Sequence, residues 1–537
     1  MYLKINFIVV LFLCLCLVNH VLSSRILFVM MAPSLSHHLF YQRLIKELSL
    51  QGHDIVSITP DPIDDVKLTN LTEISINKET YGVFHAQKWL EVAQYKKLSG
   101  IQQLRYFLPD FAKTADQVLS ASQVQELIHN SNEHFDLVIV EMLFYNAHFF
   151  AFAERFQCPL IGLASLETTI NGMDAIGNPP DPNYYGSWLT EFSGANLNFW
   201  ERLQLFWHHI DFRYFYHYQY LPISDAMIIK HFNITNKTAW DLEKSVDLIM
   251  TNTNPVFHIP RPKVPNHIDI GGMHWRERKP LPEDLKQFLD ESKQGVIYIS
   301  LGSNVRSKSL PADKRTTILN VLRQLPYNVL WKWESDSLPD KPGNVLTKTW
   351  LPQQDVLDHP NLKAFVTQGG IQSMEEAIRS AVPFVCVPFG GDQQFNARRI
   401  DELEIGRSLP FNDITEQTLL DAVTDVATNP KYKKSVTKFA NILWDQPTKP
   451  LDRAVWWVEY VIRHGGAKHL RSPAADLPWH KYLLLDILGF ILGVAIFGLT
   501  IIAISLKLLL RIIFEKGTTN HDKQRPMLKC NSRRQLT

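Results

Sequence analysis

A short apolar run, Ala364 to Thr367, passes into Gln368-Gly369-Gly370, and a helical pattern starts near Ile371. Glycines let a backbone approach a ligand closely. A helix start offers unpaired N–H groups and the positive end of a dipole, so a diphosphate fits there. Ser373 and Glu376 are three residues apart and share one helix face. The hydroxyl suits a phosphate oxygen. The carboxylate, one turn on, suits a pair of sugar hydroxyls. A glycine pair before a helix is by itself more often a plain helix–strand turn, so the surrounding residues must decide.

A second set of reactive types lies near the N-terminus. The text reads Ser34-Leu35-Ser36-His37-His38, in a loop between a strand pattern and a helix pattern. A histidine can take a proton near neutral pH, which attack by an alcohol requires. Two adjacent histidines also suggest a metal, but no further ligand has suitable spacing, and zinc is rejected. Glu141 closes an apolar run at residues 135–141. Alone it reads equally as a surface carboxylate at a strand end.

The elements that must position these groups alternate between strand and helix. Residues 25–31 are a strand, 38–50 a helix stopped by Gly52, and 55–59 the next strand, which opens a doubly wound sheet. Residues 135–141 and 159–163 continue it. The rhythm restarts at 295–301 and runs through 329–333, 345–350, 364–367 and 384–388. Four prolines within residues 251–272 mark a stiff linker between two α/β halves. Residues 450–464 have helical apolar spacing, opened by Pro450 and closed by Gly465-Gly466. No solenoid repeat is present.

Composition bounds the class. The chain has 537 residues, too many for one core. Its net charge of +1 gives no support to a nucleic-acid partner. Of five cysteines only Cys158 and Cys386 fall in the body, which excludes a disulfide framework and suggests buried thiols. Lys4, the apolar residues 5–18 and Ser23-Ser24 read as a cleaved signal peptide over residues 1–24. Residues 483–506 are long and apolar enough to span a bilayer. Lys507, Arg511, Lys516 and later basic residues place the 507–537 tail in the cytosol. The body is therefore expected in the lumen of the secretory pathway, single-pass and of type I. Sequons at Asn70, Asn233 and Asn236 agree with this.

Residues 350–393 taken together are far more specific than the glycine pair. They resemble the donor-binding signature of the family 1 UDP-glycosyltransferases, the UDP-glucuronosyl- and UDP-glucosyltransferases. The likeness covers nearly the whole chain and is nearest the insect branch. It implies the GT-B fold, α/β with two Rossmann-like doubly wound domains facing a cleft, plus one C-terminal transmembrane helix. Residues 25–255 would be the acceptor domain and 256–448 the UDP-sugar domain. Residues 449–482 would lead to the span. By the same resemblance Trp350 stacks on uracil, Gln353 contacts base or ribose, and Glu376 holds the ribose hydroxyls. Ser303, Gln368, Gly370 and Ser373 surround the diphosphate, and Asp392 and Gln393 read the sugar. His37 would be the base and Glu141 its partner. The chain departs from the family at Gln368, where many members have histidine, at Gln372 for asparagine, and at Glu141 for aspartate.

The expected reaction is a single inverting displacement at the anomeric carbon. No Asp-x-Asp triplet occurs, so no metal and no cofactor are expected beyond the UDP-sugar co-substrate. The resemblance favours glucose, with glucuronate the alternative. An epimerase, or a silent carrier of UDP-sugar and lipophile, are the rival readings. The acceptor is expected to be small, lipophilic and hydroxylated. Residues 184–220 are crowded with aromatics, including Trp188, Phe192 and Trp207, which read as core, acceptor pocket or a membrane-facing surface.

Overall fold

The computed structural model describes residues 23–522 apart from 84–86, 93–97, 144, 180, 186, 191–193 and 195. The expected signal sequence up to residue 22, Phe192, and the tail from residue 523 lie outside the described residues.

Among the described residues the body forms two all-parallel sheets. The first holds β1 (Arg25–Val29), β2 (Asp54–Thr59), β3 (Leu71–Ser75), β4 (Leu137–Glu141), β5 (Leu160–Ala164), β6 (Leu248–Thr251) and β7 (His267–Asp269). Their spatial order is β3-β2-β1-β4-β5-β6-β7. The second holds β8 (Val296–Ser300), β9 (Asn328–Lys332), β10 (Val345–Lys348), β11 (Leu362–Thr367), β12 (Phe384–Cys386) and β13 (Gly406–Ser408), in the order β10-β9-β8-β11-β12-β13. The central strands are unbroken buried runs such as LVIVE and VIYIS, as a sheet covered on both faces requires.

Both orders reverse once. From β1 the chain winds outward through β2 and β3, then returns to β4 on the other side of β1. From β8 it winds through β9 and β10 and returns to β11. Loops that leave adjacent strand ends at such a reversal diverge to opposite faces and open a crevice. The fold therefore creates two crevices, one at the ends of β1 and β4 and one at the ends of β8 and β11.

The helices that serve these crevices are α1 (Leu35–Leu50), α2 (Gly100–Ser120), α3 (Phe199–Tyr214), α4 (Ile371–Arg379), α5 (Gln393–Glu402) and α6 (Pro450–His464). α1 starts three residues earlier than the sequence pattern suggests, so His37 and His38 lie in its first turn and not in a loop. α6 keeps its expected bounds, and Gly465 ends it in the left-handed region. Its Ala454, Val455, Val458 and Val461 pack into one core with Phe40, Tyr41 and Leu44 of α1. The chain thus returns to the first half after completing the second. β7 also lies beyond residue 255, yet it pairs with β6 in the first sheet. A three-residue strand among prolines leaves too little pattern to read.

Residues from Asp476 onward form a separate compact unit. It contains α7 (Leu485–Asp522). An apolar stretch of α7, Leu485–Glu515, contains an 18-residue window of mean hydropathy 2.8 and is long enough to cross a membrane. It extends beyond the expected end at residue 506, and Lys507 and Arg511 of the expected tail lie within the helix.

The aromatic stretch divides in two. Tyr185, Trp188, Phe212, Phe215, Tyr216 and Tyr220 are buried in the main core. Trp188 also donates its indole N–H to the Glu167 carbonyl at 3.0 Å. Phe199, Trp200, Phe206, Trp207 and Tyr214 lie on the open side of α3, and Trp207 is 58% exposed. Trp188→Ala should therefore cost roughly 3–5 kcal/mol of stability. Trp207→Ala should stay within about 0.5 kcal/mol. Thermal unfolding of the two variants, followed by circular dichroism, checks this. Equal losses would mean that α3 buries its aromatic face.

Candidate active site

The first crevice is built around Glu141, the last residue of β4. Its side chain is fully buried. Oε2 accepts the backbone N–H of Met31 at 3.1 Å and of Ala32 at 2.8 Å. Oε1 accepts the Tyr41 hydroxyl at 2.8 Å. His37 Nδ1 stands 3.5 Å from the same oxygen, at the outer limit of a hydrogen bond. Burial alone would raise the pKa of this carboxyl. The His37 contact and charge, the charge of His38 and the Ala32 N–H outweigh it and hold the value below the ordinary 4.5. Tyr41 follows His37 by four residues, one turn of α1, so both rings meet one carboxylate. That spacing was visible in the sequence but had no meaning without the end of β4.

His38 does not join this pair. It turns inward, with Nε2 on the Ala32 carbonyl at 2.6 Å and Nδ1 on Thr59 Oγ1 at 3.2 Å. The two adjacent histidines therefore serve different neighbours. The arrangement leaves His37 half-buried at the first crevice, with the buried Glu141 carboxylate behind it.

The second crevice lies between the β8 and β11 loops. Gly302 and Gly369 have φ of +78° and +85°. A Cβ on Gly302 would stand 2.4 Å from Gln368 Nε2, and one on Gly369 would stand 2.5 Å from Cys386 Sγ. Glycine is needed at both positions for the loops to close together. Ser303 Oγ and Gln368 Oε1 are buried there without a hydrogen-bond partner among the described residues. α4 begins at Gly370 with no side-chain cap on its first N–H groups. Orphaned polar atoms beside an uncapped helix N-terminus suit a diphosphate.

Gln353, Ser373 and Glu376 form a connected set. Gln353 Nε2 donates to Ser373 Oγ at 2.9 Å and to Glu376 Oε2 at 2.8 Å. Gln354 Nε2 donates to Glu376 Oε1 at 2.9 Å, and Tyr298 holds Gln353 Oε1 at 3.0 Å. Gln354 and Tyr298 were not legible as site residues. Burial raises the pKa of Glu376, against the two glutamine hydrogen bonds. Gln372, where the family has asparagine, donates across the two halves to the Ser165 carbonyl at 3.0 Å.

Two cavities follow from these crevices. A polar one of about 730 Å³ is lined by Ser303, Arg306, Lys332 and Trp350, among others. Trp350 is 56% exposed, and Lys332 Nζ lies 5.6 Å from its ring centre. A smaller cavity of about 130 Å³ has apolar walls that include Phe107, Phe111, Tyr145 and Trp188. His37, Asp392 and Gln393 line it as well. Gln393 Oε1 accepts the N–H groups of Phe389 and Gly390 at 2.8 and 3.2 Å. Asp392 Oδ2 accepts Asn396 Nδ2 at 2.6 Å, and burial pushes this carboxyl up to about 6. The structure thus brings Asp392 and Gln393 to His37, and Ser303 to Trp350. Gln353, Ser373 and Glu376 line neither cavity. The apolar walls from α2 were not legible as site residues, although Phe107 and Phe111 stand one turn apart.

Two Rossmann-like halves, facing across a cleft with His37 and Glu141 on one side and the glycine-bearing β8 and β11 loops on the other, have the GT-B fold of glycosyltransferases. Solved structures agree on the fold: the calicheamicin glycosyltransferase CalG4 overlays with a TM-score of 0.53 at 18% identity, over 82% of this chain and 99% of that one. A family profile described as "UDP-glucoronosyl and UDP-glucosyl transferase" matches residues 25–520. UDP-glycosyltransferase UGT5 of Dactylopius coccus is 30% identical over 91% of this chain and 93% of its own length. UDP-glucuronosyltransferase 2C1 of Oryctolagus cuniculus is 28% identical over 86% and 93%. The chain belongs to the UDP-glucuronosyl- and UDP-glucosyltransferase family and is a UDP-glycosyltransferase.

The folded pKa of Glu141 lies below its unfolded value. Its contribution to stability is therefore complete above the ordinary carboxylate range and lost as pH falls through the folded value. Glu141→Gln should cost roughly 2–3 kcal/mol at neutral pH, because an amide turns a donor toward buried N–H and O–H donors. The gap to the wild type should close below pH 4.5. Urea titrations across that range decide it, and a gap independent of pH would show that the charge at Glu141 is not what the fold holds.

Proposed function

We propose that this enzyme transfers a hexose, glucose in our reading, from a UDP-sugar to a hydroxyl of a small lipophilic acceptor, with inversion and without a metal. One observation carries the reading. His37 lines the apolar-walled cavity together with Asp392 and Gln393, while Ser303 and Trp350 line the polar cavity beside it. An acceptor held against Phe107, Phe111 and Trp188 would present its hydroxyl to His37. His37 removes the proton, and Glu141 orients the ring and offsets the imidazolium charge. The acceptor oxygen attacks the anomeric carbon as the bond to the β-phosphate breaks. Ser303, Gln368 and the N–H groups opening α4 at Gly370 stabilise the departing UDP, an electrostatic task that needs no metal. Trp350 stacks on uracil, and Gln353, Ser373 and Glu376 serve the ribose and phosphate once UDP draws them from their mutual hydrogen bonds.

The choice of glucose is supported by relatives named for it. UDP-glucosyltransferase 2 of Dactylopius coccus is 31% identical over 88% of the chain. The proposal places the body in the lumen, anchored by α7 as a single-pass membrane protein of the endoplasmic reticulum or another secretory compartment.

Membranes carrying the wild type should release UDP from UDP-glucose only when a phenol is added. UDP-glucuronate should serve less well, and EDTA should leave the rate unchanged. His37→Ala should lower the rate by about 10²–10⁴-fold while UDP still binds. UDP binding without acceptor-dependent release in the wild type would favour the carrier reading. Loss on EDTA treatment that Mg²⁺ restores would overturn the metal-free mechanism.

A further inference from the structure

The two cavities share two lining residues, Pro33 and Asn304. Only Asn304 offers a polar side chain. It follows Ser303 in the loop after β8, and its Oδ1 accepts the Ser34 hydroxyl at 3.0 Å. Ser34 is the residue before α1, where a serine normally caps the helix with its side chain. Here it makes no cap hydrogen bond. Its hydroxyl is directed across the cleft to Asn304, with Ser36 Oγ also 3.1 Å away. The helix that carries His37 forgoes a cap so that the base loop can hold the donor loop.

This contact fixes the amide. With Oδ1 committed to Ser34, the NH₂ group is the face left for a ligand. In-line displacement puts the anomeric carbon between an acceptor at His37 and a phosphate at Ser303. The transferred sugar must then lie where the two cavities meet, which is the position of Asn304. We propose that Asn304 reads an oxygen of the transferred hexose through its amide N–H, and that Ser34 is a positioning residue that sets the amide's orientation. The inference rests on the glycosyl-transfer reading above and adds to the sugar site a residue outside the 350–393 block.

Calorimetry on the detergent-solubilised full chain compares UDP with UDP-glucose, alongside turnover. Asn304→Ala should weaken UDP-glucose by about tenfold and change UDP by less than about twofold, the loss of one ligand hydrogen bond. Ser34→Ala should lower the UDP-glucose preference part-way, and Ser34→Thr, which keeps the hydroxyl, should restore it. Equal weakening of UDP and UDP-glucose in Asn304→Ala would overturn the proposal by assigning Asn304 to the diphosphate or the fold. No weakening of either would also overturn it. A wild type that binds UDP-glucose more tightly than UDP but does not turn over fails the transfer reading alone, and the binding ratios still judge Asn304.

Discussion

A charge is buried at the end of β4, and much of the first half is arranged to keep it there. An unpaired carboxylate in a protein interior costs several kcal/mol. Glu141 is spared this by donors from two elements: the backbone after β1, and Tyr41 and His37, one turn apart on α1. Those donors converge only because β1 and β4 are neighbours, which the reversal of winding guarantees. α6 then packs against Phe40 and Tyr41 from outside and holds α1 in register with the strand ends. Removing the charge would therefore loosen the loop that carries the histidine as well as the histidine itself.

The second half solves the opposite electrostatic problem. It gathers hydrogen-bonding groups at the loop ends and leaves two of them unpaired among the described residues. Backbone N–H groups, Ser303 and Gln368 gather where β8 and β11 stop, and glycines allow the two loops to touch. Gln368 carries no charge, and its amide fills the space that a Cβ on Gly302 would need. Lys332 donates to the Gly302 carbonyl at 2.8 Å and is paired with Glu334 at 3.0 Å, whereas the other carboxylates lie elsewhere in the cleft. Glu376 is held from below by Gln353 and Gln354, and Asp392 faces the apolar cavity.

Much of this was legible in the sequence, for reasons specific to each part. Strands buried on both faces are apolar runs that stop at turn residues, so β1, β4, β8 and β11 could be read closely. The Gln368–Gly370 turn and the start of α4 share one local signal. Strand order is another matter, since nothing in the text from 135 to 141 says that β4 lies beside β1. The Glu141–Tyr41 contact depends on that order, and the approach of Asp392 to His37 and the bridge from Gln372 to Ser165 depend on how the two halves pack. β7 was missed because three residues among prolines carry no period. The α7 helix runs on past residue 506 because Lys507 and Arg511 are good helix formers, so a charge that ends an apolar run need not end a helix.

The departures from the family pattern are better understood through their neighbours than through the reaction. A glutamate at 141 is one methylene longer than an aspartate. Yet Oε2 reaches the Met31 and Ala32 N–H groups, and Oε1 reaches the Tyr41 hydroxyl, at ordinary distances. The extra length is taken up by these three bonds, and the weakest contact is left to His37 at 3.5 Å. Such a contact need not be short before substrate binds, because catalytic hydrogen bonds often tighten only in the complex. The carboxylate's position is set by three bonds that do not involve the histidine, so it would hold if the ring turned. In the transfer proposed above, that division would keep the charge fixed while the ring that takes the proton adjusts to the acceptor.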